Sequence, residues 1–182
     1  MRQLTCDPDL EILGRPVLGF VDNVRSNVIY PYLERHNLVD IQPDQWYPAQ
    51  LFLDVLNDLA AESTASMDFV AIGMGLAAKI IFPPEMENAS LEDILLAWGH
   101  KYDIDHRGPN KGYLKVEIVE PGHIKSIHKH PYPDDFEYGL AYGLCRRFRP
   151  EGVSFRVYYD EDTLRMDQGG EETIIHVVWG DR

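Results

Sequence analysis

The chain has 182 residues, 45% of them hydrophobic and 26% charged, with a formal net charge of -13 at pH 7. That length is one domain's worth, 1–182, able to bury a continuous core without staples, and the composition excludes a disordered or fibrous chain. The acidic balance repels a phosphate backbone, and the one dense basic cluster, Arg146, Arg147 and Arg149, reads as a complement to a helix C-terminus, which excludes nucleic acid as a partner.

Cys6 and Cys145 match no metal or redox spacing, the first residues lack the apolar stretch of a signal peptide, and no apolar run could span a bilayer. A cytoplasmic location is expected. From Pro16 to His36, Val17, Val21, Val24, Val28 and Tyr32 recur at helical spacing, with Pro16 in a first turn and Pro31 placed to kink or end the helix. A second helix carries Phe52, Val55, Leu56 and Leu59 as one stripe behind Pro48. A third, from Met67, is apolar nearly all round and stops at Pro83 and Pro84. It contains Gly73, Gly75 and Ala78 in a G-x-G-x-x-A spacing. Helical periodicity on both sides argues against a dinucleotide loop and for small residues that admit a neighbouring helix.

Ser90 and Asp93 form a capping box for a fourth helix, with Leu91, Ile94, Leu95 and Trp98 as its apolar face. Leu96 and His100, four apart, share a second, narrower side if the helix continues past Gly99, which predicts a buried His100. Asp103, Asp105 and His106 follow in what reads as a solvated loop. The period then changes from helical to alternating, dividing the chain into a helical part, 1–106, and a sheet-containing part, 111–180.

Two strands joined at Pro121 and Gly122 read as a hairpin on a type II turn. The first turns Leu114, Val116 and Ile118 inward. The second puts Lys125 and Lys129 on one face and Ile124, Ser126, His128 and His130 on the other, so two histidines stand where apolar residues are expected. Asp134 then reads as the cap of a helix, with Glu137 three residues on and Phe136, Leu140, Leu144 and Phe148 as its stripe. Gly139 and Gly143 stack one turn apart on it, which implies close approach of another backbone or of a flat ligand. Two more alternating strands close the chain. The expected class is α+β, N-terminal helices packed on a four-stranded antiparallel sheet.

Imidazoles two apart on a strand point the same way, so His128 and His130 could share a metal with His123 or Asp134 as a third ligand, line a pocket, or pack as hydrogen-bonded strand-end groups. No nucleophile elbow, zinc-hydrolase helix or paired cysteine supplies a catalytic constellation.

From Leu91 to Trp179, the order of "LEDILLAWGHKY", the hairpin, "DDFEYGLAYGLCRRF", "GVSFRVYY" and "TIIHVVWG" resembles the heme-nitric oxide binding domain family and its relatives, the 4-vinyl reductase-type and Golgi-transport ligand-binding domains. The resemblance implies an axial histidine on the helix before the hairpin, where His100 stands, so His100 is the expected metal ligand if heme is bound. It also implies a propionate clamp, Tyr-x-Ser-x-Arg, on the second hairpin strand. Here that stretch is Ser126, His128 and His130, without the guanidinium that grips a carboxylate. The implied function is a sensor or ligand-binding domain in signalling, with a pocket for an apolar or tetrapyrrole-like ligand lined by Trp98, His100, His128, His130, Phe136 and Leu140. Heme is the candidate cofactor, and a homodimer or a signalling protein the candidate partner. The alternative is a ligand-free dimeric interaction or adaptor module of the same fold. A third reading, an enzyme acting on a tetrapyrrole-like substrate, follows from the reductase relatives alone.

Overall fold

The computed structural model describes residues 2–24, 26–61, 69–86 and 88–180. In chain order the elements are β1 (Glu11–Leu13), α1 (Gly14–Val21), α2 (Ser26–Arg35), β2 (Trp46–Pro48), α3 (Ala49–Ala61), α4 (Phe69–Lys79), α5 (Leu91–Asp105), β3 (His106–Arg107), β4 (Tyr113–Glu120), β5 (His123–Lys129), α6 (Asp134–Phe148), β6 (Phe155–Tyr159) and β7 (Thr173–Trp179). The class is α+β, as the sequence implies. The first two-thirds are helical, and the last third is a four-stranded antiparallel sheet in the order β4-β5-β7-β6 with α6 inserted between its two halves. The expected start of the third helix at Met67 lies outside the described residues.

Several local expectations are corrected. The single helix from Pro16 to His36 is two, α1 and α2, with the break after Val21; Pro31 sits inside α2 and does not end it. The helical part also contains a small antiparallel sheet, β2-β1-β3, that ties the N-terminal segment to the end of α5. Asp103, Asp105 and His106 are not a solvated loop: α5 runs on through Gly99 to Asp105, and His106 pairs with Ile12 in β3. Asp105 and His106 are both buried there.

The hairpin forms as read, with Gly122 at φ 78° in the turn and Leu114, Val116 and Ile118 opposite His128, Ser126 and Ile124. Only the first half of β4 faces inward, however. Helix α5 meets β4 where Gly99 lies against Val116, and an irregularity between Ile118 and Glu120 turns the far end out, leaving Ile118 and Val119 half exposed.

Helix α6 starts at Pro133, whose side chain offers no cap. Asp134 is the first helical residue and braces the C-terminal loop. Its carboxylate accepts from the Thr173 hydroxyl at 2.7 Å and the Asp167 amide at 2.9 Å, while the Asp167 carboxylate accepts from the Asp134 amide at 2.9 Å. Arg2 pairs with Asp167 at 3.1 Å and closes the arrangement from the N-terminus.

The tightest packing joins α4 to α6. A methyl group placed on Gly73 would come within 2.2 Å of the Phe136 carbonyl, one on Gly139 within 2.2 Å of the Val70 carbonyl, and one on Gly143 within 3.0 Å of the Met74 Cα. The glycines on α6 therefore admit a second backbone and not a flat ligand, and Gly73 belongs to the middle of a helix and not to a nucleotide loop. Gly139→Leu should lose about 2 kcal/mol or more of stability by overpacking. Ala78→Leu, on the exposed side of α4, should stay within about 0.5 kcal/mol of the parent; urea denaturation of both measures the difference.

Candidate functional site

Strand β5 follows a period of two. Ile124, Ser126 and His128 are buried on one face and His130 continues it past the strand end, while Lys129 is exposed and Lys125 reaches Glu117 across the hairpin at 3.0 Å. The inward face meets α5, whose buried stripe continues from Trp98 to Tyr102, and α6, which contributes Glu137. His106 and Tyr132 complete the surroundings.

The result is a buried polar cluster. His128 Nδ1 lies 3.1 Å from His130 Nε2, and the Glu137 carboxylate stands 3.7 Å from each of those two nitrogens. The side chains of all three residues are 7% exposed or less. At 3.7 Å the carboxylate is beyond hydrogen-bonding distance of either ring. On its far side, His128 Nε2 is 2.8 Å from the Ser126 hydroxyl, and that hydroxyl donates to the Ile175 carbonyl at 3.3 Å. His130 Nδ1 is buried without a hydrogen-bond partner among the described residues.

Aromatic rings enclose these groups. Tyr102 stacks on His130 at 5.1 Å and on His106 at 4.2 Å, and Trp98 lies 5.4 Å from the His128 ring. His106 is fully engaged, with Nδ1 2.9 Å from the Tyr102 carbonyl and Nε2 2.6 Å from the Tyr132 hydroxyl. Burial sets the protonation states. It holds His128 down at about 3 and His130 well below the ordinary histidine range, and pushes Glu137 up to about 8, with the Asp134 charge acting in the same direction. Each shift favours the uncharged form of its group.

Of the residues singled out from sequence, the structure brings His128, His130 and Trp98 together. Leu140 lies in the core one turn beyond Glu137, and Phe136 is half-buried with its ring 5.8 Å from that of Phe20. His100 is exposed, which corrects the expectation of burial. Its neighbour Gly99 faces β4, and the next residue along the helix turns to solvent. The third metal-ligand candidates fare differently: His123 pairs with His176 at 2.9 Å at the other end of β5, and Asp134 is bound to Thr173. The acidic group that stands beside the histidine pair is instead Glu137. Sequence reasoning assigned it to a helix cap, although its spacing of three, four and seven residues from Leu140, Ala141 and Leu144 puts it on the buried stripe. Tyr102 had a comparable signal, four residues beyond Trp98.

These residues do not fit a heme held on His100. That imidazole is outside the core, and the rings of Trp98, Tyr102, His106 and Tyr132 fill the space between α5 and the hairpin. Neutral histidines cannot neutralise propionates, and the Arg2 guanidinium beside His130 is committed to Asp167 and to the carbonyls of His130 and Tyr132.

No protein-family model matches the sequence, and no curated protein matches it. Solved structures do match over nearly the whole chain. A single-site variant of the Tt H-NOX domain is 14% identical with a TM-score of 0.71, covering 93% of this chain and 96% of its own. An oxygen-binding H-NOX domain related to soluble guanylate cyclases, as its oxygen complex, is 14% identical with a TM-score of 0.68, covering 92% and 93%. An H-NOX protein from S. oneidensis in the Fe(II)NO ligation state is 14% identical with a TM-score of 0.66, covering 93% and 100%. The structure of this chain is therefore H-NOX-like in fold.

Proposed function

We propose that this chain is a ligand-binding sensor domain whose input site is the buried His128, His130 and Glu137 cluster, taking a small polar ligand or ion in place of a heme. The observation that carries this reading is the convergence of three ligating groups, within 4.8 Å of one another, on a strand face that otherwise calls for apolar side chains. Packing alone gives no reason to bury a carboxylate 3.7 Å from two imidazoles with no hydrogen bond between them. The sensor role rests on analogy with the H-NOX fold. Helix α6 suits it physically, because it touches the cluster with one side and α4 with the other. The output is a contact with a second protein or a second copy of the chain, in the cytoplasm. The adaptor reading has one observation of its own, the half-exposed Ile118 and Val119 on β4, an edge strand of the sheet.

Two outcomes are expected. Hemin added to the purified chain should give no stoichiometric Soret band; a saturable band at one equivalent would return the site to heme. Replacing Glu137 by leucine should stabilise the ligand-free protein by about 1 kcal/mol or more, since a polar group kept for binding costs stability that an apolar residue recovers. Chemical denaturation of Glu137→Leu checks this, and a marked loss of stability would assign the cluster to packing.

A further inference from the structure

The geometry points to a mononuclear site for a divalent first-row transition ion, ligated by His128 Nδ1, His130 Nε2 and the Glu137 carboxylate. This rests on the reading of the cluster as the input site and names what it takes. Two neutral imidazoles and one carboxylate are the donor set that such ions prefer over calcium or magnesium, which favour all-oxygen surroundings.

Distances support it. Donors held about 2.1 Å from one ion stand about 3.0 Å apart in octahedral and about 3.4 Å apart in tetrahedral geometry. The two ring nitrogens are 3.1 Å apart and each stands 3.7 Å from its own oxygen of the Glu137 carboxyl group, so an ion between them needs a modest inward movement of these side chains. The carboxylate is already divided between the rings, Oε2 toward His128 and Oε1 toward His130.

The surroundings are those of a ligand. The Ser126 hydroxyl donates to the Ile175 carbonyl, so it receives the Nε2 proton of His128 and fixes that ring as the Nε2–H tautomer. The Nδ1 lone pair is thereby aimed at the centre of the cluster. An outer hydrogen bond that orients a histidine in this way is the usual companion of a metal ligand. In the metal-free state that lone pair accepts from His130 Nε2–H, which leaves His130 Nδ1 as an unprotonated acceptor with no donor among the described residues. Binding moves the His130 proton from Nε2 to Nδ1, so Nε2 presents its own lone pair and the ring remains neutral, and the ion displaces the Glu137 proton to solvent as the carboxylate takes its place as a ligand. Three protein ligands leave at least one coordination position for water or a small ligand.

The site is buried, so the ion is best supplied during folding. Full-length chain, stripped with chelator in denaturant and refolded with cobalt(II), should bind one equivalent, with visible d–d bands that zinc(II) abolishes. His128→Ala and Glu137→Gln should weaken binding at least about a hundredfold, and Ser126→Ala about tenfold through the outer hydrogen bond. His123→Ala, on the other end of β5, should bind as the parent does. Chain purified without unfolding from zinc-supplemented medium provides a second measurement, with about one zinc per chain in the parent and almost none in His128→Ala. Absence of bound metal in both preparations overturns the inference. If a small organic ligand then stabilises the parent but not Glu137→Leu, the cluster remains the input site and only the metal is wrong. If neither metal nor ligand binds and Glu137→Leu is destabilised, both readings fall.

Discussion

The contact between α4 and α6 sets the rest of the molecule. Gly73, Gly139 and Gly143 let the two backbones approach to distances that a single added methyl group would forbid, and this fixes the rotation of α6 about its axis. At about 100° per residue, Gly139 and Gly143 lie close together on that helix and Glu137 lies nearly opposite. Seating the glycine face on α4 therefore aims Glu137 at the hairpin. Strand alternation brings His128 and His130 to meet it from β5, and the capping box at Ser90 and Asp93 anchors the helix that supplies Trp98 and Tyr102. Each element obeys an ordinary local rule. Their intersection is a carboxylate and two imidazoles in an apolar interior.

Much of this was legible in the sequence, and the failures have physical causes. The period of two around Lys125 and Lys129 places the histidines inward, because a one-residue slip would bury both lysines. The apolar stripes of α3, α5 and α6 were equally plain. The three strands of the small sheet were not, since segments of two or three residues are too short to leave a period. His100 was misplaced by allowing a second apolar side on α5. It lies about 200° around the helix from Trp98, whereas Tyr102 lies within about 40° and continues the buried stripe. Glu137 was obscured by a local pattern, an acid three residues after an aspartate at a helix start; the N-cap is Pro133, one residue earlier, so that pair is not in capping register.

The fold and the site bear on each other in an unusual way. The chain shares its architecture with H-NOX structures at 14% identity, and the hairpin strand on which the resemblance places a propionate clamp carries Ser126, His128 and His130. An arginine clamp works by fixed charge. Burial disfavours charge on the groups here, which weakens any hold on propionates, and they offer nitrogen lone pairs and a carboxyl group in a buried, aromatic enclosure. On the proposed reading, a few side chains on an H-NOX-like frame specify a different class of ligand, with α6 bridging the site and the helical half.

The most direct measurement of that change is a crystal structure of the chain refolded with cobalt(II), with data collected on both sides of the cobalt absorption edge. The account predicts one anomalous peak at the centre of the triangle formed by His128 Nδ1, His130 Nε2 and the Glu137 carboxylate, about 2.1 Å from each. A cluster without a peak and with its three side chains unmoved, or a heme between α5 and the hairpin, would contradict it.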